Sequence, residues 1–357
     1  MISSPTLLID PKKCKTNIRR MAEKAGNHGL AFKPHVKTHQ SPVIGEWFRE
    51  FGIDAITVSS VKMGHLFADH GWRDITVAFP VNIREIDSIN TLAAKIDALS
   101  LLVANIESVQ FLREHLTEPA QVYIEIDTGG ERSGFRPGQT DSIARLIRFI
   151  KHSDLLTLKG FYSHPGHTYS ARSKHEIKAI YADVVLQVQR LKNRFNNLTC
   201  CIGDTPGCTV ADDFGEVDEI SPGNFVFYDL MQAQAGACTI EDIAVALAAP
   251  VVATYPQRNE CVIHGGAVHL SKETLEWDRQ TIYGLPVLLE ENNRWSQPVE
   301  NAFIKNLSQE HGILKCSPPL MKKLHVGDII GVLPVHSCLT ANLMKSYYSL
   351  EGNDLIT

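Results

Sequence analysis

The segment AQVYIEIDTGGERSGFRPGQTDSIARLIRFIKHSDLLTLKGFYSH, residues 120–164, contains the repeating unit that decides the fold. It begins with an apolar, β-prone run at 120–127 and ends with a similar run at 157–164. Between the two runs, residues 142–152 carry apolar side chains at helical spacing. A strand, a helix and a second strand in this order favour two parallel strands joined by a helical crossover.

The same alternation extends from this segment in both directions along the chain. Six further β-prone runs occur, namely GLAFKP (29–34), IDAITVS (53–59), DITVAFP (74–80), LSLLVAN (99–105), LTCCIGD (198–204) and VDEISPG (217–223). Helical periodicity is also clear at 11–28 and at 175–195. Eight such strand runs within roughly 200 residues predict a closed (β/α)8 barrel rather than an open sheet.

Side chains capable of chemistry come directly after several of these runs. They are Lys37, Arg132, His164, Thr205 and Asn224. In a (β/α)8 barrel the active site lies at the carboxyl ends of the strands, where these residues would be. Polar residues follow strands in most loops, so the placement alone identifies no particular reaction.

The pattern changes near residue 240, where strand-like runs follow one another with turn residues and little helix between them. This predicts a second, all-β domain. We therefore expect an α/β chain with a TIM barrel over 11–241 and a C-terminal all-β domain over 242–357. The strand-like TLLID at 6–10 precedes the first helix, which favours its pairing with the β domain.

Composition excludes several classes of function. Hydrophobic residues make up 44% of the chain and charged residues 21%, and the net charge of -5 gives no reason to expect binding to nucleic acid or an anionic membrane. The longest apolar runs are too short for a membrane helix, and MISSPTLLIDPKK lacks the features of a signal peptide. Eight cysteines occur without a CxxC pair, so we expect a cytoplasmic protein without a disulfide framework.

Lys37 is the most unusual of the candidate residues because two histidines, His35 and His39, flank it in a loop after the first predicted strand. Schiff-base chemistry needs an amine whose pKa is lowered by burial or by positive neighbours, and such a loop could provide both. The histidines could equally pack around the lysine, and an isolated lysine in a polar loop is more often a surface residue.

Eight short motifs occur in order along the chain and strengthen the case for Lys37. They are SPTLLID (4–10), FKPHVKTHQ (32–40), EIDTGGERSGF (125–135), YSHPGHTY (162–169), GDTP (203–206), SPGNFVFYD (221–229), EHG (310–312) and HSC (336–338). Together they resemble the fold-type III pyridoxal-phosphate enzymes, which are alanine racemase-like, and specifically the D-threonine aldolase and D-serine dehydratase family. The resemblance implies a D-amino acid substrate, pyridoxal 5'-phosphate as cofactor and a homodimer.

The resemblance also implies roles for single residues. Lys37 matches the lysine that holds the cofactor as a Schiff base, Arg132 a basic residue beside it, and Tyr162 an aromatic residue that contacts its ring. The other cofactor-binding matches are Gly203, Asp204, Thr205, Gly223, Asn224 and Tyr228. Glycine-rich loops after strands present backbone N–H groups to anions, although GDTPG alone could be an ordinary turn.

A metal site is predicted at His336 and Cys338. This pair follows the strand-like IIGVLPV, and residues i and i+2 of an extended segment point to the same side. Imidazole with sulfur favours Zn²⁺, or another divalent cation of similar preference. In the family that the chain resembles, this pair is the metal site; dehydratases carry His-x-Cys and aldolases usually His-x-Asp, so Cys338 favours a dehydratase.

These parts predict a lyase that acts on D-3-hydroxy amino acids by β-elimination, giving a 2-oxo acid and ammonia. Lys37 would take the α-proton and the metal would polarise the β-hydroxyl. The alternative is a D-threonine aldolase, in which His164 or His167 takes the hydroxyl proton and glycine is a product. A racemase, which needs a second base, and a non-catalytic cofactor carrier, which needs no metal pair, are less favoured.

Overall fold

The computed structural model describes residues 2–195, 198–290, 294–350 and 355–356 of the chain. It divides into two compact units, each formed by separated stretches of sequence. The first unit comprises Met1–Ile18, Thr38–Ile44 and Asn224–Thr357. The second comprises Arg19–Lys37 and Gly45–Gly223.

The second unit contains an eight-stranded parallel sheet. Its strands are Ala31–Phe32, Ala55–Val58, Asp74–Pro80, Ala98–Val103, Ala120–Ile126, Leu156–Ser163, Thr199–Ile202 and Glu219–Ile220. Each run predicted as a strand overlaps one of them. A parallel bridge between His35 and Thr57 joins the first strand region to the second, and the Thr57 N–H donates to the Pro34 carbonyl at 2.9 Å. The sheet is therefore closed, and the predicted (β/α)8 barrel is confirmed.

Helices precede, connect or follow the strands of this sheet. They are Pro11–Asn27, Pro42–Arg49, Val61–Asp69, Ile86–Lys95, Ile106–His115, Thr140–Lys151, Lys174–Arg194 and Thr205–Val210. In Thr140–Lys151 the buried side chains are Ile143, Leu146, Ile147 and Ile150, a spacing that places them on one helical face. Burial of this apolar face, rather than the intrinsic preference of the residues, supplies most of the helix stability.

Large side chains form a buried cluster on neighbouring strands of the barrel. Leu102, Tyr123, Tyr162 and Cys201 come from four consecutive strands and are each at most 3% exposed. The rings of Tyr123 and Tyr162 meet edge to face with centroids 6.1 Å apart, a favourable arrangement for aromatic pairs. The Tyr123 hydroxyl donates to Glu219, and Lys33 pairs with Asp74 at 3.0 Å. The ring contact with Tyr123 and burial in this cluster restrict the position of Tyr162.

The first unit contains a mostly antiparallel sheet of nine strands. They are Thr6–Ile9, Val245–Tyr255, Glu260–His264, Gly284–Val287, Phe303–Leu307, His311–Lys315, Ile329–Pro334, Tyr347–Ser349 and Leu355–Ile356. Short paired strands lie at Leu275–Trp277, Gln280–Ile282, Leu289–Glu290 and Arg294–Trp295, and short helices at Leu230–Ala235, Ala267–Leu270, Pro318–Lys323 and Ser337–Met344. Thr6–Ile9 pairs antiparallel with Val245–Tyr255.

Residues 224–241 pack with the first unit, whereas the sequence pattern assigned them to the barrel. Backbone hydrogen bonds hold this segment there: Ala244 N–H donates to the Phe227 carbonyl at 2.8 Å, and Met231 N–H to the Val335 carbonyl at 3.3 Å. The second of these bonds joins residues about a hundred positions apart, which local patterns of hydrophobicity do not reveal. No helix among the described residues is long and apolar enough to cross a membrane.

Candidate active site

Lys37 lies in a single turn of 3-10 helix, Val36–Thr38, a few residues after the strand Ala31–Phe32. Its side chain is half-buried, and its backbone N–H donates to Nδ1 of His35 at 3.4 Å. The turn follows the carboxyl end of a barrel strand, which is where this fold presents reactive side chains.

His164 follows the strand Leu156–Ser163, and its Nδ1–H donates to the carbonyl of Gly203. The pKa of His164 is lowered to about 3, chiefly by burial and also by the positive charges of Arg132 and Lys37, while the bond to Gly203 opposes the shift. The imidazole is therefore neutral near pH 7, with its proton on Nδ1 and a lone pair on Nε2. Both cations are close enough to His164 to affect its pKa, so we infer that Lys37, Arg132 and His164 lie at the same end of the barrel.

Arg132 is 56% exposed and pairs at 3.7 Å with Glu125, whose side chain is 3% exposed. Burial raises the pKa of Glu125, and the hydroxyl of Ser133, which donates at 2.8 Å, and the charge of Arg132 oppose this shift. A primary amine and a guanidinium near one imidazole form a positive region at the mouth of the barrel. Such a donor set fits an anionic, phosphorylated aldehyde such as pyridoxal 5'-phosphate.

Tyr162 and Gly203 approach each other closely inside the barrel. The Tyr162 hydroxyl lies 2.7 Å from Oγ of Ser221, and the Gly203 N–H donates to the Ser163 carbonyl at 2.9 Å. A Cβ atom on Gly203 would lie 2.4 Å from Oγ of Ser221 and 2.6 Å from the Tyr162 hydroxyl. Only glycine allows the backbone to come this near the tyrosine.

Replacing Gly203 with alanine is therefore expected to destabilise the fold and to weaken binding of pyridoxal phosphate. Overpacking of this kind costs about 1–3 kcal/mol, because Ser221 and Tyr162 must both move. Thermal unfolding and a cofactor titration measure the two effects. Gly138→Ala is the matched control, since nothing lies within 4 Å of a Cβ there. Equal behaviour of the two variants would contradict the proposed tight contact.

Asp204 begins the helix Thr205–Val210 as its N-cap. Its Oδ2 accepts from the Gly207 N–H at 2.6 Å and from the Thr168 hydroxyl at 2.8 Å, so this carboxyl oxygen is occupied by the protein itself. The Thr205 N–H donates to the hydroxyl of Tyr169 at 3.2 Å. Tyr169 was not among the residues predicted from the sequence, although it lies in the YSHPGHTY motif.

Asp204→Asn is expected to change how stability depends on pH. Burial raises the pKa of Asp204 to about 7, although the bonds from Thr168 and Gly207 oppose this. In the unfolded chain the carboxyl group ionises near its ordinary pKa. Between about pH 4 and about pH 7 it is therefore ionised in the unfolded chain but still protonated in the folded one, and the free energy of unfolding falls as pH rises through this range. The amide variant removes that loss, which amounts to roughly 1–4 kcal/mol.

Chemical denaturation from about pH 4 to about pH 8, which spans the range over which the loss develops, tests this prediction. The free-energy difference between Asp204→Asn and the natural chain should shift in favour of the variant as pH rises. Asp154→Asn, at an exposed position, serves as the control. A difference that does not vary with pH would contradict the assignment.

Asn224 is buried, and its Nδ2 amide, with two N–H donors, lies 2.7 Å from Oδ2 of Asp229, 2.9 Å from Oγ of Ser337 and 3.3 Å from Sγ of Cys338. Its amide therefore serves the HSC motif in this structure. Gly223, which precedes it, is buried. Tyr228 is also buried, adopts a positive φ of 49°, and donates its backbone N–H to the Asn224 carbonyl at 2.7 Å.

His336 and Cys338 are in contact, but not through the extended geometry predicted for them. His336 is extended and caps the helix Ser337–Met344, so Cys338 lies in the first helical turn. Burial opposes a charge on His336, yet its hydrogen bond to Cys338 and the charge of the thiolate raise the pKa of the imidazole to about 9. Burial alone would raise the pKa of the Cys338 thiol, but the contact with His336 lowers it.

Two further residues hold this pair and were not predicted from the sequence. Asp229 accepts at Oδ2 from the Ser337 N–H at 3.0 Å, which fixes the start of the helix. Oγ of Thr38 lies 3.3 Å from Sγ of Cys338. Thr38 directly follows Lys37 in the chain, so its position in the FKPHVKTHQ motif was the available signal.

Within the described residues, three potential metal ligands also converge elsewhere in the first unit. The ligand atoms of His264, His269 and Glu310 lie within 4.8 Å of one another. Nδ1 of His269 accepts from the Gly266 N–H at 3.2 Å, so the neutral ring carries its proton on Nε2. That nitrogen faces Glu310 at 3.8 Å, and its proton leaves no lone pair for a metal in this arrangement.

Comparison with known proteins places these features in context. A family model described as "Alanine racemase, N-terminal domain" matches residues 9–230, and one described as "Putative serine dehydratase domain" matches 244–350. The D-serine dehydratase of Dictyostelium discoideum is 28% identical, with 99% of this chain and 95% of that protein covered. The D-threo-3-hydroxyaspartate dehydratase of Delftia sp. (strain HT23) is 26% identical, with 99% and 95% covered.

Solved structures agree in fold. The structure of the Delftia dehydratase matches with a TM-score of 0.91 at 24% identity, covering 100% of this chain and 97% of that one. The first family model alone spans more than half of the chain. The chain therefore belongs to the alanine racemase N-terminal domain family of fold-type III pyridoxal-phosphate enzymes, in the group that contains the D-serine dehydratases and D-threonine aldolases.

Proposed function

We propose that the chain is a lyase that depends on pyridoxal phosphate and a divalent metal and acts on D-3-hydroxy amino acids. The reaction is a D-serine dehydratase-like β-elimination that gives a 2-oxo acid and ammonia. The observation that carries this proposal is the contact between His336 and Cys338, with the pKa of the thiol lowered by the imidazole. The dehydratase relatives support the same reaction class.

The residues that would hold the cofactor are Lys37, through its amine, together with Arg132, Tyr162, Gly203, Asp204, Thr205, Gly223, Asn224 and Tyr228. Several of them act through other residues in our proposal. Asp204 keeps the helix Thr205–Val210 in place, and Asn224 supports Cys338. When bound, pyridoxal phosphate supplies an electron sink that makes the substrate's α-proton acidic.

A metal would be held by Nε2 of His336 and Sγ of Cys338. Nitrogen and sulfur donors favour zinc among the common divalent ions, and we propose Zn²⁺. When bound, the ion supplies Lewis-acid polarisation of the substrate's β-hydroxyl. A solved structure of a cysteine-to-alanine variant of a D-threo-3-hydroxyaspartate dehydratase is described as the metal-free form, which is consistent with a metal in that enzyme.

Lys37 is the proposed base for the α-proton, because its amine lies at the carboxyl end of a barrel strand. His164 is poorly suited to take a hydroxyl proton, since its pKa of about 3 makes Nε2 a weak base. It can still accept a hydrogen bond and orient a substrate group. This argues against His164, one of the two bases that the aldolase alternative could use.

The domain boundaries and the role of each domain are also part of this proposal. Residues 11–241 would form the cofactor-binding barrel domain, and 242–357 with the strand from 1–10 would form the domain that carries the metal pair; residues 224–241 would serve the barrel's site although they pack with the first unit. A homodimer and a cytoplasmic location stay predictions from the sequence. Light scattering of the purified protein tests the first.

Product analysis with D-serine and D-threonine tests the proposed reaction. We expect pyruvate and ammonia from D-serine, loss of this activity on treatment with a chelator, and its return with Zn²⁺. Formation of glycine and acetaldehyde from D-threonine, at a higher rate than pyruvate from D-serine, would favour the aldolase instead. Activity unaffected by complete metal removal would exclude the proposed metal requirement.

A further inference from the structure

A carboxylate outside the HSC motif lies next to the proposed metal ligand His336. Oε2 of Glu273 is 3.5 Å from Nδ1 of His336, and the two side chains are 40% and 26% exposed. The other partner of His336 is Cys338, with which it forms a hydrogen bond. The imidazole therefore lies between a carboxylate and the thiol.

The backbone that carries Glu273 is held in an unusual conformation. Ser271, which follows the helix Ala267–Leu270, has φ 70° and ψ 178°, a region that non-glycine residues rarely adopt. Its N–H donates to the Ala267 carbonyl at 2.9 Å, and its Oγ accepts from the Glu273 N–H at 3.2 Å. The bend turns the chain after the helix, and the bond to Ser271 fixes the backbone position of Glu273.

A second contact ties this bend to the helix that begins with the HSC motif. Oγ of Thr340 donates to the Leu270 carbonyl at 3.4 Å, and both residues are buried. This bond joins the helices Ser337–Met344 and Ala267–Leu270, which helps to hold Glu273 near His336. The strained backbone of Ser271 is compensated by these bonds.

We propose that Glu273 is a positioning residue for the metal site, a role that rests on the proposed function of His336 and Cys338. Its carboxylate lies 3.5 Å from Nδ1 of His336, and with a small shift of the side chain it accepts the Nδ1–H, which holds the tautomer that has a lone pair on Nε2 for the ion. A metal-binding imidazole commonly donates its other N–H to such an oxygen, and this partner raises the basicity of the ligand. Nothing in the HSC motif itself provides this oxygen.

Metal affinity of the purified chain, freed of metal by a chelator, tests the proposal without measuring turnover. Co²⁺ is added and the near-ultraviolet absorption from thiolate-to-metal charge transfer is followed; Zn²⁺ affinity is then obtained by competition. Glu273→Ala is expected to weaken both affinities by roughly 10- to 100-fold. Glu273→Gln should weaken the two metal affinities less than Glu273→Ala does, because its amide oxygen can still accept a hydrogen bond from Nδ1 of His336.

Glu300→Ala is the matched control, since Glu300 is an exposed carboxylate of the same unit, and it should leave both affinities unchanged. Equal affinities for Glu273→Ala and Glu300→Ala, with charge transfer intact in both, would overturn the role of Glu273 alone. If Glu273→Ala also lowers the unfolding temperature of the metal-free chain, its metal affinity alone is not conclusive. The affinity of Glu273→Gln is then compared with it, and a value as low as that of Glu273→Ala overturns the proposal.

Failure of the underlying metal site gives a different result. In that case the natural chain shows no charge-transfer band, and His336→Ala leaves its metal affinity unchanged. Such an outcome would overturn the proposed metal site together with the role of Glu273.

Discussion

Lys37→Ala should abolish turnover of D-serine and remove the visible absorption of the bound cofactor. The variant lacks the amine to which we assign two roles: the covalent attachment of pyridoxal phosphate and the acceptance of the α-proton. Loss of proton transfer alone reduces rates by about 10²–10⁴-fold. Steady-state kinetics and the absorption spectrum of the purified variant, before and after borohydride, measure the two effects separately.

Lys62→Ala is a suitable control for this experiment, since Lys62 is an exposed lysine of a barrel helix. It should retain both the spectrum and the rate. A Lys37→Ala variant that still absorbs in the visible after cofactor addition, and whose band is still trapped by borohydride, would show that another lysine holds the cofactor. The central assignment would then be wrong.

The second large effect is expected from Cys338→Ala, which should lose metal and the elimination reaction together. Lewis-acid help to a leaving hydroxide contributes several kcal/mol, so about 3–4 kcal/mol should be lost. This corresponds to a fall in rate of roughly 10²–10³-fold. Metal analysis of the purified variant and a pyruvate assay with added Zn²⁺ measure the outcome.

Cys338→Asp and Cys238→Ala complete this experiment. Aspartate keeps an anionic ligand, so some metal binding should survive, and any activity that returns is due to the ion rather than to sulfur. Cys238 is a half-buried cysteine of the same unit and its replacement should change neither property. Full activity of a metal-free Cys338→Ala variant would rule out a catalytic ion at this position.

The barrel could be predicted because its determinants are local. Each strand run is short and β-prone, and helices such as Thr140–Lys151 carry their buried residues at regular spacing. The order of the strands then follows from the right-handed crossover that joins parallel neighbours. None of these inferences requires knowledge of distant contacts.

The site was predicted less completely, because its support comes from distant parts of the chain. The contact between Thr38 and Cys338 spans three hundred positions, and that between Asn224 and Cys338 spans more than a hundred. Cys338 was expected in an extended segment, whereas LTANLM continues as a helix after it. The role of Asp204 was visible in principle, since an aspartate shortly before a proline is typical of a helix N-terminus.

The way the barrel closes has a consequence for its dynamics. The strand before Lys37 has only two residues, pairs with Glu219–Ile220 on one side and meets the next strand through the single bridge at His35. Amide protons along this seam should exchange with solvent faster than those of the longer strands, since few bonds must open together. A cofactor bound to Lys37 would slow that exchange, because local opening of the first strand would disturb its binding site. Binding at this end of the barrel would therefore also stabilise the closure of the sheet.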